Sequence, residues 1–188
     1  HILILVENLP VPFDRRVWME ATTLQSSGYQ VHVVCPTSAR HPQRKEVLEG
    51  VLIHRYPQGL EGRKSAGTLA EYFWALVCMT WHVFKLSLRY PIKVVQVCNP
   101  PDLLFLATWP ALIFRRAKTI FDQHDLCPEL WEAKGHSLTS FYARALIKLE
   151  LATYRWSDVV ISTNQSYKDV ATSRGEKSAD DVFIVRSA

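Results

Sequence analysis

Short apolar runs alternate with longer amphipathic segments along almost the whole chain. Runs rich in β-branched residues predict strands at Ile2–Val6, Val31–Cys35, Val51–Tyr56, Val94–Cys98, Thr119–Phe121, Val159–Thr163 and Val182–Val185. Segments with helical spacing between them predict helices at 14–28, 68–89, 102–116, 139–155 and 166–173. Strands that are apolar throughout are buried on both faces. The pattern predicts an α/β fold, a doubly wound, mostly parallel seven-stranded Rossmann-like sheet with helices on both faces.

The composition predicts a single domain and limits the classes of binding partner. A chain of 188 residues with 48% hydrophobic and 21% charged residues is long enough for one globular domain. The net charge of +4 comes without a block of five or six like charges, so no nucleic-acid partner is expected. The run Arg40–Lys45 is interpreted as a polar loop. The four cysteines form no C-x-x-C metal or redox motif. Cys35, Cys78 and Cys98 lie within or at the ends of apolar runs, which favours buried, reduced thiols and a cytoplasmic location.

One aromatic segment, Leu69–Leu88, resembles a membrane span in composition. It is interrupted by Glu71, His82 and Lys85, so its apolar stretch is shorter than the ~20 residues that a span needs. We interpret it as a long helix packed on the sheet. The alternative is a helix that lies in the bilayer interface and makes peripheral contact with the inner face of the membrane.

Polar residues follow the predicted strands, where ligands bind in open α/β sheets. Each has a structural interpretation as well, since Asp14, Asp102 and Asn164 are suited to cap helices. Arg15 and Arg16 stand at a helix start, where cations oppose the helix dipole unless they face an anionic ligand or Glu20. The candidate residues are Asn8, Asp14, Arg15 and Arg16 after the first strand, Asn99 and Asp102 after the fourth, His124, Asp125 and Glu129 after the fifth, and Asn164 after the sixth.

The sequence lacks the motifs of several enzyme classes. The first loop has prolines and Phe13 in place of G-x-G-x-x-G, which disfavours a dinucleotide, and no P-loop, zincin or α/β-hydrolase motif occurs. Asp122, His124 and Asp125 have the chemistry of metal ligands but come from a single loop with no visible fourth partner. We therefore expect no metal and no other cofactor.

Four blocks of the sequence, taken together and in order, resemble the amino-terminal half of family-4 ("group 1") glycosyltransferases. The blocks are 6–18 (VENLPVPFDRRVW), 97–103 (VCNPPDL), 121–130 (FDQHDLCPEL) and 159–164 (VVISTN). The resemblance implies one half of a GT-B fold, in which two Rossmann-like domains face each other across a cleft. It also implies transfer of a sugar from a nucleotide-sugar donor with retention of anomeric configuration.

The resemblance assigns roles by position. His124 matches a histidine that reaches the donor sugar and the reaction centre, and is the expected catalytic residue. Asn164 matches the donor side of the interdomain cleft. The acceptor, a saccharide or a lipid-linked saccharide in glycan or polysaccharide synthesis, would meet Asn8, Asp14, Arg15, Arg16, Asn99, Asp102, Asp125 and Glu129.

The sequence departs from the family in two places. The first loop lacks the paired glycines that many relatives place near the donor phosphates, and the E-x7-E pattern of the donor domain is missing. The segment 185–188 resembles the strand that leads into the second domain. We therefore expect residues 1–188 to form a single acceptor-side domain, inactive by itself, whose donor-binding C-terminal domain is absent from this chain. The alternatives are a nucleotide-sugar epimerase and a non-catalytic binding or scaffold module.

Overall fold

The structure, a computed structural model, describes residues 1–58 and 65–186, with residues 65–69 described by their backbone alone. The strands are β1 (Ile2–Val6), β2 (Val31–Pro36), β3 (Lys45–Leu48), β4 (Val51–Tyr56), β5 (Val94–Cys98), β6 (Lys118–Gln123), β7 (Val159–Ser162) and β8 (Val182–Ile184). The helices are α1 (Arg15–Ser26), α2 (Ser65–Arg89), α3 (Trp109–Arg115), α4 (Cys127–Ala133), α5 (Phe141–Trp156) and α6 (Gln165–Ser173), with 3-10 helices at Leu104–Thr108 and Ala179–Asp181.

The strands form one sheet in the order β3-β4-β2-β1-β5-β6-β7-β8, and every pair except β3–β4 is parallel. Strands β2, β3 and β4 lie on one side of β1. The chain then crosses to the other side of β1, where β5 pairs with it. This reversal between β1 and β5 is the switch point at which such sheets bind ligands, beyond the carboxyl ends of the strands. The sheet confirms the predicted doubly wound Rossmann-like fold.

The two faces of the sheet are covered unequally. One face packs its larger core, including Leu3, Val97 and Phe121, under α2, α3, α5 and α6. On the other face Ile4 and Val33 pack against α1, the one helix on that side among the described residues. The prediction of helices on both faces is therefore confirmed, with most of the helical cover on a single side.

The described part of the chain forms a sheet of eight strands, one more than the seven predicted. The additional strand, β3, pairs antiparallel with β4 through a two-residue turn at Glu49 and Gly50, which both have positive φ. Its residues alternate between exposed and half-buried positions because β3 lies at the edge of the sheet. Lys45 opens this strand, so the polar loop predicted for 40–45 is one residue too long.

Two helical regions also differ from the prediction. The segment predicted as one bent helix over 102–116 is a 3-10 helix followed by α3, with Pro110 in the first turn of α3. The predicted loop before Ser137 contains α4, which starts at Cys127-Pro128. Proline is favoured in the first turn of a helix because its missing N–H would have no partner there. The predicted link to a second domain covers 185–188, and its residues 187 and 188 lie outside the described part of the chain. The side chain of Leu69, the first residue of the predicted aromatic segment, also lies outside it.

Candidate active site

Asp122 is the centre of a buried charge network at the end of β6. Its carboxylate is fully buried and accepts hydrogen bonds from Arg16 Nη2 at 2.7 Å and from His124 Nε2 at 2.6 Å. Gln96 on the neighbouring strand β5 donates to the same carboxylate at 3.3 Å and to Glu20 at 2.7 Å. The network thus joins the end of β6 to β5 and to the first turns of α1.

The network fixes the charges of its members. Burial by itself would raise the pKa of Asp122, but the hydrogen bonds and positive charges of His124 and Arg16 hold this pKa below its ordinary value. Burial alone would lower the pKa of His124. The hydrogen bond and negative charge of the adjacent Asp122 outweigh burial, so this pKa is raised. Burial raises the pKa of Glu20 to about 7, reinforced by the negative charge of Asp122. The geometry therefore favours a charged imidazole whose orientation is set by Asp122.

Asn99 holds the loop after β6 in place. Its Oδ1 accepts hydrogen bonds from the backbone N–H groups of His124 at 2.7 Å and Asp125 at 3.1 Å. Its Nδ2 donates to the Asp125 carbonyl and to Asp102 Oδ1, both at 2.7 Å. Burial raises the pKa of the Asp102 carboxyl to about 6. Asn99 and Asp102 are thus buried and bonded to the protein itself, and their effect on a ligand acts through the backbone of His124 and Asp125.

The three charged candidates of the first loop have different environments. Asp14 is buried and caps α1 by accepting a hydrogen bond from the N–H of Val17. Arg15 is exposed, whereas Arg16 contacts Glu20 at 3.4 Å in addition to Asp122. A cation at the start of α1 is therefore accommodated because Arg16 faces two carboxylates, in agreement with the expected contact to Glu20.

A cavity of about 510 Å³ opens at the carboxyl ends of β1, β2 and β4. Glu7 and the exposed Asn8 line it on the β1 side. Burial and the nearby charge of Glu71 raise the pKa of Glu7 to about 7. The rest of its wall combines aromatic and polar side chains, among them Phe13, Tyr56, Tyr72, Trp74, Thr37, Arg40 and His41. Aromatic faces beside hydrogen-bonding groups are suited to a polyhydroxylated ligand.

Two further candidates, Glu129 and Asn164, take part in helix contacts and not in the Asp122 network. Glu129 on α4 forms a bidentate ion pair with Arg174, at 2.7 and 3.1 Å, and Arg174 also contacts the buried Glu150 at 2.7 Å. Glu129 thus ties α4 to the end of α6. Asn164 is exposed and caps α6 by accepting a hydrogen bond from the N–H of Tyr167.

One group of side chains has the composition of a metal site. The ligand atoms of Cys98, Asp122 and His124 lie within 4.8 Å of one another. The Arg16 guanidinium already pairs with the Asp122 carboxylate at 2.7 Å. Burial also raises the pKa of the Cys98 thiol well above its ordinary value, which keeps it protonated and a poor ligand. In the structure Asp122 is paired with Arg16 and His124, and the expectation that this group holds no metal stays a prediction.

The sequence also matches a known protein family. The model of the glycosyl transferase 4-like domain matches residues 14–185, which is most of the chain. The chain belongs to the glycosyl transferase 4-like family. No curated protein matches the chain significantly.

Solved structures place this glycosyl transferase 4-like chain among GT-B folds. Sucrose-phosphate synthase from Thermosynechococcus elongatus superposes with a TM-score of 0.69 at 13% identity, over 98% of this chain and 47% of that one. Alr3699/HepE from Anabaena, solved in complex with UDP-glucose, superposes with a TM-score of 0.57 at 13% identity, over 98% of this chain and 43% of that one. The chain thus spans less than half the length of these neighbours.

Two residues of this candidate site were not among the expected site residues. The sequence allows either carboxylate that flanks His124, Asp122 or Asp125, to fix its tautomer, and in the structure Asp122 bonds to Nε2. Glu7 was seen only as part of the first loop, yet it lines the cavity. Both are the polar ends of apolar strands, and this position in the sequence was the available signal.

Proposed function

We propose that this chain is the acceptor-binding half of a retaining glycosyltransferase that acts in the cytoplasm. The full-length protein would move a sugar from a nucleotide-sugar donor to a saccharide or lipid-linked acceptor in glycan or polysaccharide synthesis. Membership of the glycosyl transferase 4-like family supports glycosyl transfer. The Anabaena neighbour, solved with UDP-glucose and also with UDP and glucose, supports a nucleotide sugar as the donor.

The observation that carries the proposal is the Arg16–Asp122–His124 network at the switch point of the sheet. Asp122 bonds to Nε2 of His124, and among the described residues nothing hydrogen-bonds to Nδ1. A charged imidazole held this way presents Nδ1–H as a donor to a sugar hydroxyl or to negative charge that develops at the reaction centre. A general-base role fits less well, because Asp122 raises the pKa of His124 and so favours its protonated form.

The cavity beside Glu7 is the proposed acceptor subsite. Glu7 and Asn8 offer hydrogen-bonding groups at its β1 side, and the aromatic rings of Tyr56, Tyr72 and Trp74 offer flat apolar surfaces to a sugar ring. Binding the acceptor there would hold its hydroxyl close to the anomeric carbon of the donor, which lowers the barrier by positioning. Departure of the nucleoside diphosphate needs positive charge at the phosphates, and we assign this to a second domain outside this chain.

The experiment is a donor and acceptor screen with the full-length protein. We expect one nucleotide sugar to be consumed only when an acceptor is present, and the anomeric configuration of the product, read from proton NMR couplings, to match that of the donor. An inverted product would contradict the retaining mechanism.

The same screen separates the alternatives. An epimerase would alter the nucleotide sugar when no acceptor is present. A binding or scaffold module would leave every donor unchanged while still binding a saccharide in a calorimetric titration. Either result would overturn the proposal.

A further inference from the structure

An exposed apolar stripe runs along α2 on the side away from the sheet. Phe73, Val77, Trp81 and Leu88 are all exposed, and spacings of four and seven residues along the helix place them on one face. Trp81 alone leaves 56% of its surface in solvent. The opposite face of the helix holds Ala75, Met79 and Val83 in the core, so the stripe is not needed for packing.

The stripe continues onto α3. Phe84 of α2 stacks with Trp81 at a ring-centroid distance of 5.8 Å and meets Phe114 of α3 edge-on at 5.9 Å. Trp109 and Ile113 on α3 are also exposed, Ile113 by 65%. Large contiguous apolar patches are uncommon on soluble monomers and mark a surface that another molecule covers. We call this surface, formed by Phe73, Val77, Trp81, Phe84, Leu88, Trp109, Ile113 and Phe114, the aromatic face.

Cations border the aromatic face. Lys85, Arg89 and Arg116 are exposed, and Lys85 Nζ lies 5.1 Å from the centre of the Trp81 ring. Arg115 donates hydrogen bonds to the carbonyls of Ser87 and Leu88 and so links α3 to the end of α2. In contrast, the segments 70–89 and 104–116 contain a single carboxylate, Glu71, which lines the cavity at the start of α2.

We propose that the aromatic face docks the protein onto the surface of an anionic lipid bilayer. Trp and Phe side chains enter the interface between headgroups and acyl chains, and lysine and arginine beside them meet the negative headgroups. No helix in the described residues has the length and apolarity to cross a bilayer. The contact is therefore peripheral, with α2 and α3 lying along the membrane surface.

The charges argue against a second copy of this chain as the occupant. In a symmetric dimer the same patch meets itself, so the aromatic faces of two copies would bring Lys85, Arg89 and Arg116 of each close to those of the other. Like charges that face each other across an interface are unfavourable, whereas an anionic bilayer pairs with all of them. Charge complementarity thus favours a membrane.

The docked orientation deepens the proposed function, on which this step rests. The first turns of α2 belong to both surfaces, since Phe73 lies on the aromatic face while its neighbours Tyr72 and Trp74 line the cavity beside Glu7. Trp74 is held there by its hydrogen bond to the Pro57 carbonyl at 2.9 Å. A lipid-linked acceptor would place its saccharide in the cavity while its lipid remains in the bilayer.

The test is sedimentation of the full-length protein with two kinds of vesicle, one of phosphatidylcholine and one of equal parts phosphatidylcholine and phosphatidylglycerol. We expect binding to the second kind, weakening as salt is added. The double variant Trp81→Ser/Ile113→Ser should lower the partition coefficient at least about tenfold. The double variant Lys85→Gln/Arg116→Gln should lower it about thirtyfold, because each surface cation contributes about 1 kcal/mol.

Matched controls lie on other elements. Phe141 on α5 is 90% exposed, and Lys134 and Lys148 are exposed cations away from α2 and α3. Phe141→Ser and Lys134→Gln/Lys148→Gln should change vesicle binding by less than about threefold. Circular dichroism melting of each variant confirms that it is folded.

Three outcomes would overturn the proposal. One is equal binding to both kinds of vesicle, and another is binding that the aromatic-face variants leave unchanged. The third is a dimer in sedimentation velocity without vesicles that Trp81→Ser/Ile113→Ser dissolves, which would assign the face to a second copy. Vesicle binding needs no sugar transfer, so this test can fail while the proposed function stands, and the reverse also holds.

Discussion

Asp122 shows how a buried carboxylate organises residues that are far apart in the sequence. It is fully buried, and its partners Arg16, Gln96 and His124 come from α1, β5 and the loop after β6. A charge taken out of water is stable only when it is paired and hydrogen-bonded, so Asp122 constrains all three partners at once. His124 is held in one orientation as a result, which is the property that a catalytic residue needs.

Glu7 makes the stability of the protein depend on pH. Its pKa is raised from 4.5 in the unfolded chain to about 7 by burial and by Glu71. Because the folded state holds the proton more tightly, the stability that this group contributes is complete below pH 4.5 and is lost as the pH rises to about 7. Glu7→Gln should therefore raise the free energy of unfolding by about 2 kcal/mol at pH 8 and leave it unchanged at pH 4.

Urea denaturation at the two pH values measures this difference. Asp169→Asn on α6, an exposed carboxylate, is the control and should change stability equally little at both pH values. A Glu7→Gln variant that is no more stable than the wild type at pH 8 would show that Glu7 does not titrate as described.

The identity of a side chain predicts which chemical role it is suited to better than it predicts which residues it will hydrogen-bond to. His124 and Asp125 could be singled out because they follow a buried strand, and the carboxyl ends of parallel strands meet at the edge of the sheet where ligands bind. The bonds of Asn99 could not be foreseen, because its amide had to be seen close to the backbone of the next loop, which follows β6 some 25 residues later. Asp14, Asp102 and Asn164 were suited to cap helices. Asp14 and Asn164 do so, whereas Asp102 accepts a hydrogen bond from Asn99 instead and caps none of the described helices.

At the scale of elements, periodicity located the parallel strands because each is apolar along its length. It failed for β3, whose alternating exposure resembles a polar loop, and for α4, which has seven residues and is too short for a periodic signal. In the structure Glu129 of α4 forms a long-range ion pair with Arg174, a contact that local sequence does not encode.

Arg174 joins three helices through two carboxylates, Glu129 on α4 and the buried Glu150 on α5. Burial raises the pKa of Glu150 to about 7, although Arg174 opposes this effect. Arg174→Gln would leave Glu150 buried without its cation. We expect a loss of about 3 kcal/mol of stability at pH 8 and a smaller loss at pH 5, where a proton neutralises Glu150.

Chemical denaturation at these two pH values provides the check. Arg155→Gln removes an exposed pair with Glu176 at 3.9 Å and should cost less than about 1 kcal/mol at both. If Arg174→Gln were no more costly than Arg155→Gln at pH 8, the cluster would not hold α4, α5 and α6 together.

At the scale of the whole molecule, the polar groups collect at the carboxyl edge of the sheet, on both sides of the reversal between β1 and β5. Asp122 and His124 lie on one side, and the cavity beside Glu7 lies on the other. The strand order brings the polar groups to one edge of the sheet, so the sequence could predict that edge. The network and the cavity depend on side-chain contacts between distant segments, which the sequence pattern does not show. The aromatic face on α2 and α3 lies along the sheet's more heavily covered side.

The most direct test of the account is the rate of sugar transfer by the full-length protein carrying His124→Ala, with His136→Ala as the matched control. His136 is an exposed histidine that stacks on Trp131 and lies outside the network. We predict that His124→Ala lowers kcat roughly 100-fold or more without unfolding the protein, and that His136→Ala stays within about twofold of the wild type. A folded His124→Ala variant that transfers sugar at the wild-type rate would contradict the central claim.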